Sequence, residues 1–449
     1  MIKCDIAVIG AGVGGLTAAY SLSKKNINTI IIEKENYVGG RASSEKYKGY
    51  TLDRGAVYIM LFGKTLRNIF SELNIPDSEL MLVKKKISYF YDGKFHTLDF
   101  SNFNKLLISF LKFKLIPHRK KIEIHTLKFF KKCLDEFNSV TKEYKNWKYT
   151  NDQSAAELLN KYFNETIITD VFKPTAQTFL LTDLKNVSEK MILVLFGSFL
   201  SQKNKIFHLK KGIGQLANSL YKKYIENGGK FRNANVISIR KKNNYFEIIT
   251  SKKEKILAKA IISNIPVNDF GKIFKNNSKE SAEAWSKVEY VSNICLNIGL
   301  KEPLKNIKDD HLVFLKSKKN NPIISLGELT SKNTHVAPSK KGLLYVLCSP
   351  EFSKKNISTN PKKIYKIISS EVSKLFPDFR DKFIFYRIFK WKKALIKADQ
   401  NYFKTSTVHT PINGIFICGD SVYIGLDGVA KSGEFAAEAA EYYISKYFP

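Results

Sequence analysis

Gly10-Ala11-Gly12-Val13-Gly14-Gly15 stands between an apolar run, Cys4–Ile9, and a helix-forming one, Leu16–Leu22. The first run alternates and ends apolar, as a strand does, and the second has helical spacing. In that setting each glycine of the pattern has a task. Gly10 makes a tight turn, Gly12 lets the backbone approach a pyrophosphate, and Gly15 allows close packing of helix on strand. Gly14 completes the run, and the start of the helix faces the negative charge. Working outward, Asn26–Asn28 makes a turn, and Thr29–Ile32 is the β-branched run of a buried parallel strand. Glu33 ends that strand, 23 residues after Gly10. A carboxylate there accepts hydrogen bonds from a ribose diol and repels a 2′-phosphate.

Two further patterns suit the same ligand. Gly39-Gly40-Arg41 offers a second close backbone approach with a cation beside it. Near the other end, a buried strand, Ile415–Cys418, runs into Gly419-Asp420. Gly425-Leu426-Asp427-Gly428-Val429 then leads into a helix from about Val429 to Tyr447. Asp420 would accept hydrogen bonds from a polyol, and the helix start would aim its positive end at another ligand group.

The opening and closing segments are each half of a doubly wound, Rossmann-like motif, so one domain is built from separated pieces. The texture between them changes. Residues 101–204 read as mostly helical, with a capping box at Ser154 and Glu157 ahead of Leu158 and Leu159. Val236–Ile239, Tyr245–Thr250 and Ala260–Ile262 switch to period two, which predicts antiparallel strands. Ile294–Leu300 and Leu343–Leu347 read as further strands. The fold class is α/β (α+β). Residues 1–90, 205–285 and 405–449 form the dinucleotide-binding domain. Residues 91–204 and 286–404 form a substrate domain with a mixed sheet, helices and membrane-facing segments.

Among 449 residues, 74 Lys and Arg oppose 41 Asp and Glu, a formal charge of +33. Only eight of the bases are Arg, which disfavours bidentate reading of phosphates or bases. At 44% apolar residues the chain can bury a large core, so a disordered basic tail is excluded. The five cysteines are widely spaced and form no CxxC pair, and the seven histidines show no metal spacing. A disulfide framework and a zinc site are both disfavoured, and a reducing compartment fits. The longest apolar run, Met191–Leu200, is about half of the roughly 20 residues that span a bilayer. These features predict a cytoplasmic protein, soluble or peripheral on a membrane.

Taken together, GxGxxGG, an acidic residue, GGR and a C-terminal GD…G…SG resemble the flavoprotein superfamily of monoamine oxidases, protoporphyrinogen oxidases and phytoene desaturases. The resemblance extends over essentially the whole chain. His208–Leu216 looks like an internal segment of that family, Gly228-Gly229…Val236 like the strand whose backbone meets adenine, and Trp391–Tyr402 like a tryptophan-led stretch near the flavin. It implies non-covalent FAD, with Glu33 on the adenosine ribose and Arg41 by the pyrophosphate. Gly55 and Ala56 would lie near the isoalloxazine, Asp420 on the ribityl chain, and the Val429 N–H would point at flavin O2. The amine-oxidase branch carries a strand lysine near flavin N5. The comparable stretch here, Tyr290–Leu300, has none and looks more like the desaturase side.

The resemblance implies a desaturase or isomerase of an apolar, isoprenoid-like molecule, with hydride passing to flavin N5 and oxygen or a quinone reoxidising it. An amine or porphyrinogen oxidase is the second reading, and a flavin-bearing protein with a nucleic-acid-binding surface the third. No residue stands out as an acid, base or nucleophile, as expected where the cofactor carries the chemistry. Residues 101–132 add a partner expectation. Phe103, Leu106, Leu107, Phe110 and Leu111 share one helical face among many lysines, which suits docking on an anionic membrane. Aromatic residues are interleaved there, but no nucleic-acid motif accompanies them.

Overall fold

The computed structural model describes residues 1–61, 63–91, 94–112, 119–142, 153–276, 279–304, 312–315, 321–331 and 333–448. The strand Ile2–Ile9 is the centre of one sheet. It pairs in parallel with Thr29–Glu33 on one side and with Lys255–Ser263 on the other. Lys230–Asn233 extends the first side, again in parallel. The far side of Lys255–Ser263 is shared: its beginning pairs antiparallel with Tyr245–Thr250, and its end pairs in parallel with Ile415–Ile417. Thr29–Glu33 is buried at every residue and the last four residues of Ile2–Ile9 are too, which is why these sequences read as near-continuous apolar runs. Five parallel strands therefore end on one edge, at Ile9, Glu33, Asn233, Ser263 and Ile417. Ligands of doubly wound sheets bind at that edge.

Helix Val13–Ser23 leaves the Gly-rich turn, and helix Leu426–Tyr447 crosses it. The crossing is close enough that a Cβ on Gly433 would lie 2.3 Å from the Gly14 carbonyl oxygen. Likewise a Cβ on Gly15 would lie 2.2 Å from the Gly10 oxygen, the helix–strand packing that the motif requires.

A second seven-stranded sheet runs Phe383–Ile396, Tyr290–Leu300, Gly342–Cys348, Ile323–Glu328, Val313–Leu315, Lys86–Tyr91, Lys94–Asp99. Lys86–Tyr91 thus pairs within this second sheet, although the sequence places residues up to 90 in the dinucleotide-binding domain. The strand's alternation is the same in either place, and only its pairing decides. The antiparallel strands expected near 236–262 are present, but Lys255–Ser263 is antiparallel to one neighbour and parallel to two.

The helical layer closes around a phenylalanine cluster. Phe129–Phe163, Phe163–Phe172 and Phe172–Phe196 have ring centroids 5.2, 4.7 and 4.8 Å apart. Helix Glu189–Leu200, which contains the longest apolar run, is buried at all twelve residues, so it is a core helix. The Ser154–Glu157 capping box forms as expected. The apolar face of 101–132 is turned differently from the expectation. In helix Phe103–Lys112, Leu106 and Phe110 are 0% and 3% exposed, and Phe110 packs on Phe130 and Phe163. This face serves the protein's own core, because an amphipathic stripe docks equally well on protein or lipid. Phe103 and Leu107 are half-buried, and the Leu111 side chain lies outside the described residues.

A Gly433→Val substitution tests the helix crossing. The added side chain meets backbone, which cannot rotate away, so a loss of about 1–3 kcal/mol is expected. Chemical denaturation should show it, together with reduced retention of any bound cofactor.

Candidate functional site

One cavity of about 1160 Å³ starts at the edge where the parallel strands end. Its first part is lined by Gly10, Gly12, Glu33, Gly39, Gly40 and Val236, its middle by Arg41, Gly55, Ala56, Gly419, Asp420, Gly428 and Val429. Of the residues singled out from sequence, Gly14 and Gly15 stand behind this lining, in the packing of the two helices.

The two glycine turns are stitched together. The Gly39 N–H donates to the Ala11 oxygen at 2.7 Å, and Gly12 bridges Gly39. Glu33 is 9% exposed and holds the turn from the other side. Its Oε2 accepts the Ala11 N–H at 2.7 Å and its Oε1 accepts the Glu35 N–H at 2.9 Å. A carboxylate has further lone pairs, so a diol can still be accepted. Neither the helix starting at Val13 nor that starting at Leu426 has a side-chain cap. Uncapped helix starts on a cavity suit a pyrophosphate at one and developing negative charge at the other.

Two expected ligand groups turn out to be partners, and one expectation needs correction. Arg41 and Asp420, assigned from sequence to separate ligand groups, bind each other: Nη1 to Oδ2 at 2.8 Å and Nη2 to Oδ1 at 3.0 Å. Arg41 Nη1 also donates to the Ala394 oxygen, and Asp420 Oδ2 accepts the Ile396 N–H. A buried carboxylate needs this compensation. Burial alone would raise the Asp420 carboxyl, but the Arg41 guanidinium and the Ile396 N–H outweigh it and hold it below its ordinary value. The correction is Val429. The helix begins at Leu426, so the Val429 N–H is already bonded to the Gly425 oxygen at 2.8 Å. The amides that a helix cannot satisfy are those of its first turn, here Leu426 to Gly428.

Asn264 and Tyr345 were not readable as site residues. Asn264 follows the strand Lys255–Ser263, and its amide lies 2.4 Å from where a Gly12 Cβ would be and 2.7 Å from a Gly14 Cβ. Its wedge position explains why the glycines can be nothing larger. The one hint was an Asn-Ile-Pro turn after an apolar run. Around Gly55, the Trp391 Nε1–H donates to the Arg54 oxygen at 2.7 Å, and the Tyr345 hydroxyl donates to the Gly55 oxygen at 2.8 Å. The Ala56 N–H donates to the Arg41 oxygen at 2.9 Å, so this short segment is held from three sides. His208 is not in the lining; it pairs with Asp53 at 2.9 Å, both buried.

Beyond Gly55 the cavity continues as an arm with mostly apolar walls. Phe137 and Val140 from helix Arg119–Lys142, Phe179 and Leu180, and Met191, Val194 and Leu195 form them. Burial pushes up the phenols of Tyr58 and Tyr345, which keeps both neutral.

The family model described as flavin containing amine oxidoreductase matches residues 13–440. Among curated proteins, a 4,4'-diapolycopen-4-al dehydrogenase of Metabacillus indicus is 24% identical, over 88% of this chain and 84% of that one. The chloroplastic prolycopene isomerase of Daucus carota is also 24% identical, over 96% and 79%. A single-substitution variant of putrescine oxidase superposes with a TM-score of 0.77 over 99% of both chains, at 14% identity, a likeness of fold.

Asp420→Asn should destabilise the protein by on the order of 2 kcal/mol. That is below the 3–5 of a fully buried pair, because the Arg41 side chain keeps 32% exposure. The sign with pH follows from a carboxyl lowered in the folded state. Its contribution is present above the ordinary aspartate range and is lost as pH falls through the lowered folded value. Denaturation curves of parent and variant should therefore differ at neutral pH and converge in acid.

Proposed function

The chain belongs to the family of flavin-containing amine oxidoreductases, and from that premise we propose that it is an FAD-dependent enzyme that desaturates or isomerises an apolar, isoprenoid-like substrate. The observation that carries the proposal is the continuity of one cavity from Glu33, through the Arg41–Asp420 pair, into the apolar arm. Glu33 and the first glycine turn would hold the adenosine half. The segment 54–56 and the start of the Leu426 helix would hold the ring. When bound, the flavin supplies the hydride acceptor. The protein excludes water from the arm, orients the substrate against the ring, and offers first-turn amides to negative charge on the reduced ring. Among the described residues no cysteine or histidine lines the cavity, which favours non-covalent binding. The strand Tyr290–Leu300 carries no lysine, which favours a desaturase-type reaction over amine oxidation. The two curated relatives are named for diapolycopenal and prolycopene, in keeping with an apolar substrate. Oxygen or a quinone would reoxidise the flavin.

An anionic membrane is the partner this reading favours. With Leu106 and Phe110 turned inward, the outer faces of the two helices carry Lys105, Ile108 and Lys112, and Leu127, Lys128 and Lys131, all exposed. Lysines near an anionic surface contribute on the order of 1 kcal/mol each, and salt screens them. Among the described residues no helix is long and apolar enough to cross a membrane, so contact would be peripheral.

Heat-denatured holoprotein should release FAD; release of FMN overturns the cofactor assignment. Glu33→Ala should weaken FAD retention by about 1.5–3 kcal/mol for each lost charge-assisted bond, and Glu33→Gln by less, as measured by reconstitution titration. Anaerobic mixing with isoprenoid polyenes, amines and porphyrinogens decides the reaction class, with flavin bleaching expected from the polyenes alone. On liposomes, flotation with acidic lipid should fall as salt rises. Replacing Ile108 and Leu127 by Ser should remove the remainder that salt leaves; flotation unchanged by both treatments refutes the membrane contact.

A further inference from the structure

The sheet wall of the apolar arm contains polar side chains with nothing to bond. Asn293 and Ser325 are 4% and 1% exposed, and both line the cavity. Asn293 Nδ2 and Ser325 Oγ have no hydrogen-bond partner among the described residues. The strand register places them on one face. Asn293 lies opposite Trp391, and Cys295, two residues on, lies opposite Leu347, which in turn lies opposite Ser325. Residues directly opposite, or two apart on a strand, share a face. Trp391 and Leu347 also line the cavity, so this face is the wall itself. With strands about 4.8 Å apart, Asn293 and Ser325 stand on the order of 10 Å from each other. They are two points along the arm, the first beside Trp391.

A third group belongs with them. Thr178, on helix Lys173–Phe179, has a buried Oγ1 with no partner among the described residues, and it lines the same cavity. Elsewhere the same sheet can satisfy a buried polar side chain in full. Glu328, three residues beyond Ser325, accepts from the Thr330 N–H and hydroxyl, the Ser331 N–H and the Leu343 N–H. Asn297, four residues beyond Asn293, is satisfied in part: its Nδ2 donates to the Asp53 oxygen at 2.9 Å, and its Oδ1 has no partner among the described residues. Unpaired donors in an apolar wall are costly to the empty protein and to any hydrocarbon that covers them. A ligand oxygen removes that cost.

We propose that the arm takes a lipophile bearing a hydroxyl or carbonyl oxygen, in preference to a plain hydrocarbon, and that Asn293 and Ser325 are two separate points, either of which can hold such an oxygen. The proposal rests on the reading of the site as one for an apolar substrate, and it narrows that class. A hydroxyl serves whichever way the Asn293 amide is turned, since it both donates and accepts. Sites with buried polar groups discriminate strongly against the analogue that leaves them unpaired.

The test uses the flavin-loaded protein in detergent micelles, titrated with geranylgeraniol, its aldehyde, and the hydrocarbon of the same skeleton. Binding is read from the shift of the flavin absorbance. The alcohol or the aldehyde should bind at least tenfold more tightly than the hydrocarbon. In an Asn293→Leu, Ser325→Ala variant that preference should fall to about twofold or less, with hydrocarbon binding unchanged or tighter. Flavin content and melting temperature should not drop, because the replaced groups make no bond in the protein. A residue with a purely structural task would lower both. Equal binding of hydrocarbon and oxygenated forms by the parent overturns the proposal and leaves the apolar-substrate reading standing. So does a preference that survives in the double variant. If none of the three shifts the flavin spectrum, the apolar-substrate reading falls and takes the proposal with it.

Discussion

One guanidinium–carboxylate pair joins three distant parts of the chain. Arg41 comes from the second glycine turn, Asp420 from the end of the strand Ile415–Ile417, and the Ala394 and Ile396 backbone from the long strand of the second sheet. Neither charge could stay at this depth alone, since desolvation would outweigh any single hydrogen bond. Paired, they fix the floor of the cavity where the two halves of the dinucleotide motif meet. They also clamp the second seven-stranded sheet to that floor. The position of residues 54–56 follows from this clamp, because the Ala56 N–H is bonded to the Arg41 oxygen itself.

The clamp explains how so dispersed a site stays in register. Residues 41, 264, 391 and 420 lie on four segments, yet each is tied to its neighbour by backbone groups and not by long side chains alone. Asn264 is wedged beneath the glycine turns, and Trp391 and Tyr345 grip the carbonyls of residues 54 and 55. Backbone anchoring of this kind leaves few rotamers to vary. A cofactor and its substrate react only when held in reach and in the right orientation, and a rigid floor under a shaped cavity serves that need.

Legibility in the sequence followed the range of the interaction. The strand–turn–helix at 4–22, the strand ending in Glu33 and the buried strand before Gly419 were readable because short-range pattern decides them. Even the capping box at Ser154 was local. What could not be read was pairing between segments far apart. Arg41 and Asp420 are separated by 379 positions, and each separately looked like a ligand group. Asn264 is one polar residue after one strand, and only the assembled sheet gives it five glycine neighbours. The start of the last helix was misplaced by three residues, enough to exchange a free amide for a bonded one at Val429. The stripe at Phe103–Phe110 was real, but a stripe does not say what covers it.

Helix Arg119–Lys142 shows where these strands of argument converge. Phe129, Phe130, Cys133, Phe137 and Val140 face inward, and the last turns of that face become the wall of the apolar arm. Leu127, Lys128 and Lys131 face outward on the same element. A helix is about 10 Å across, so a surface that met the outer lysines would lie one helix diameter from the arm. Displacement of this helix would alter the arm directly, since Phe137 and Val140 have no intervening layer. The exposed lysines of this helix and the apolar cavity are thus two faces of one element. Any partner bound by the first is mechanically close to the second.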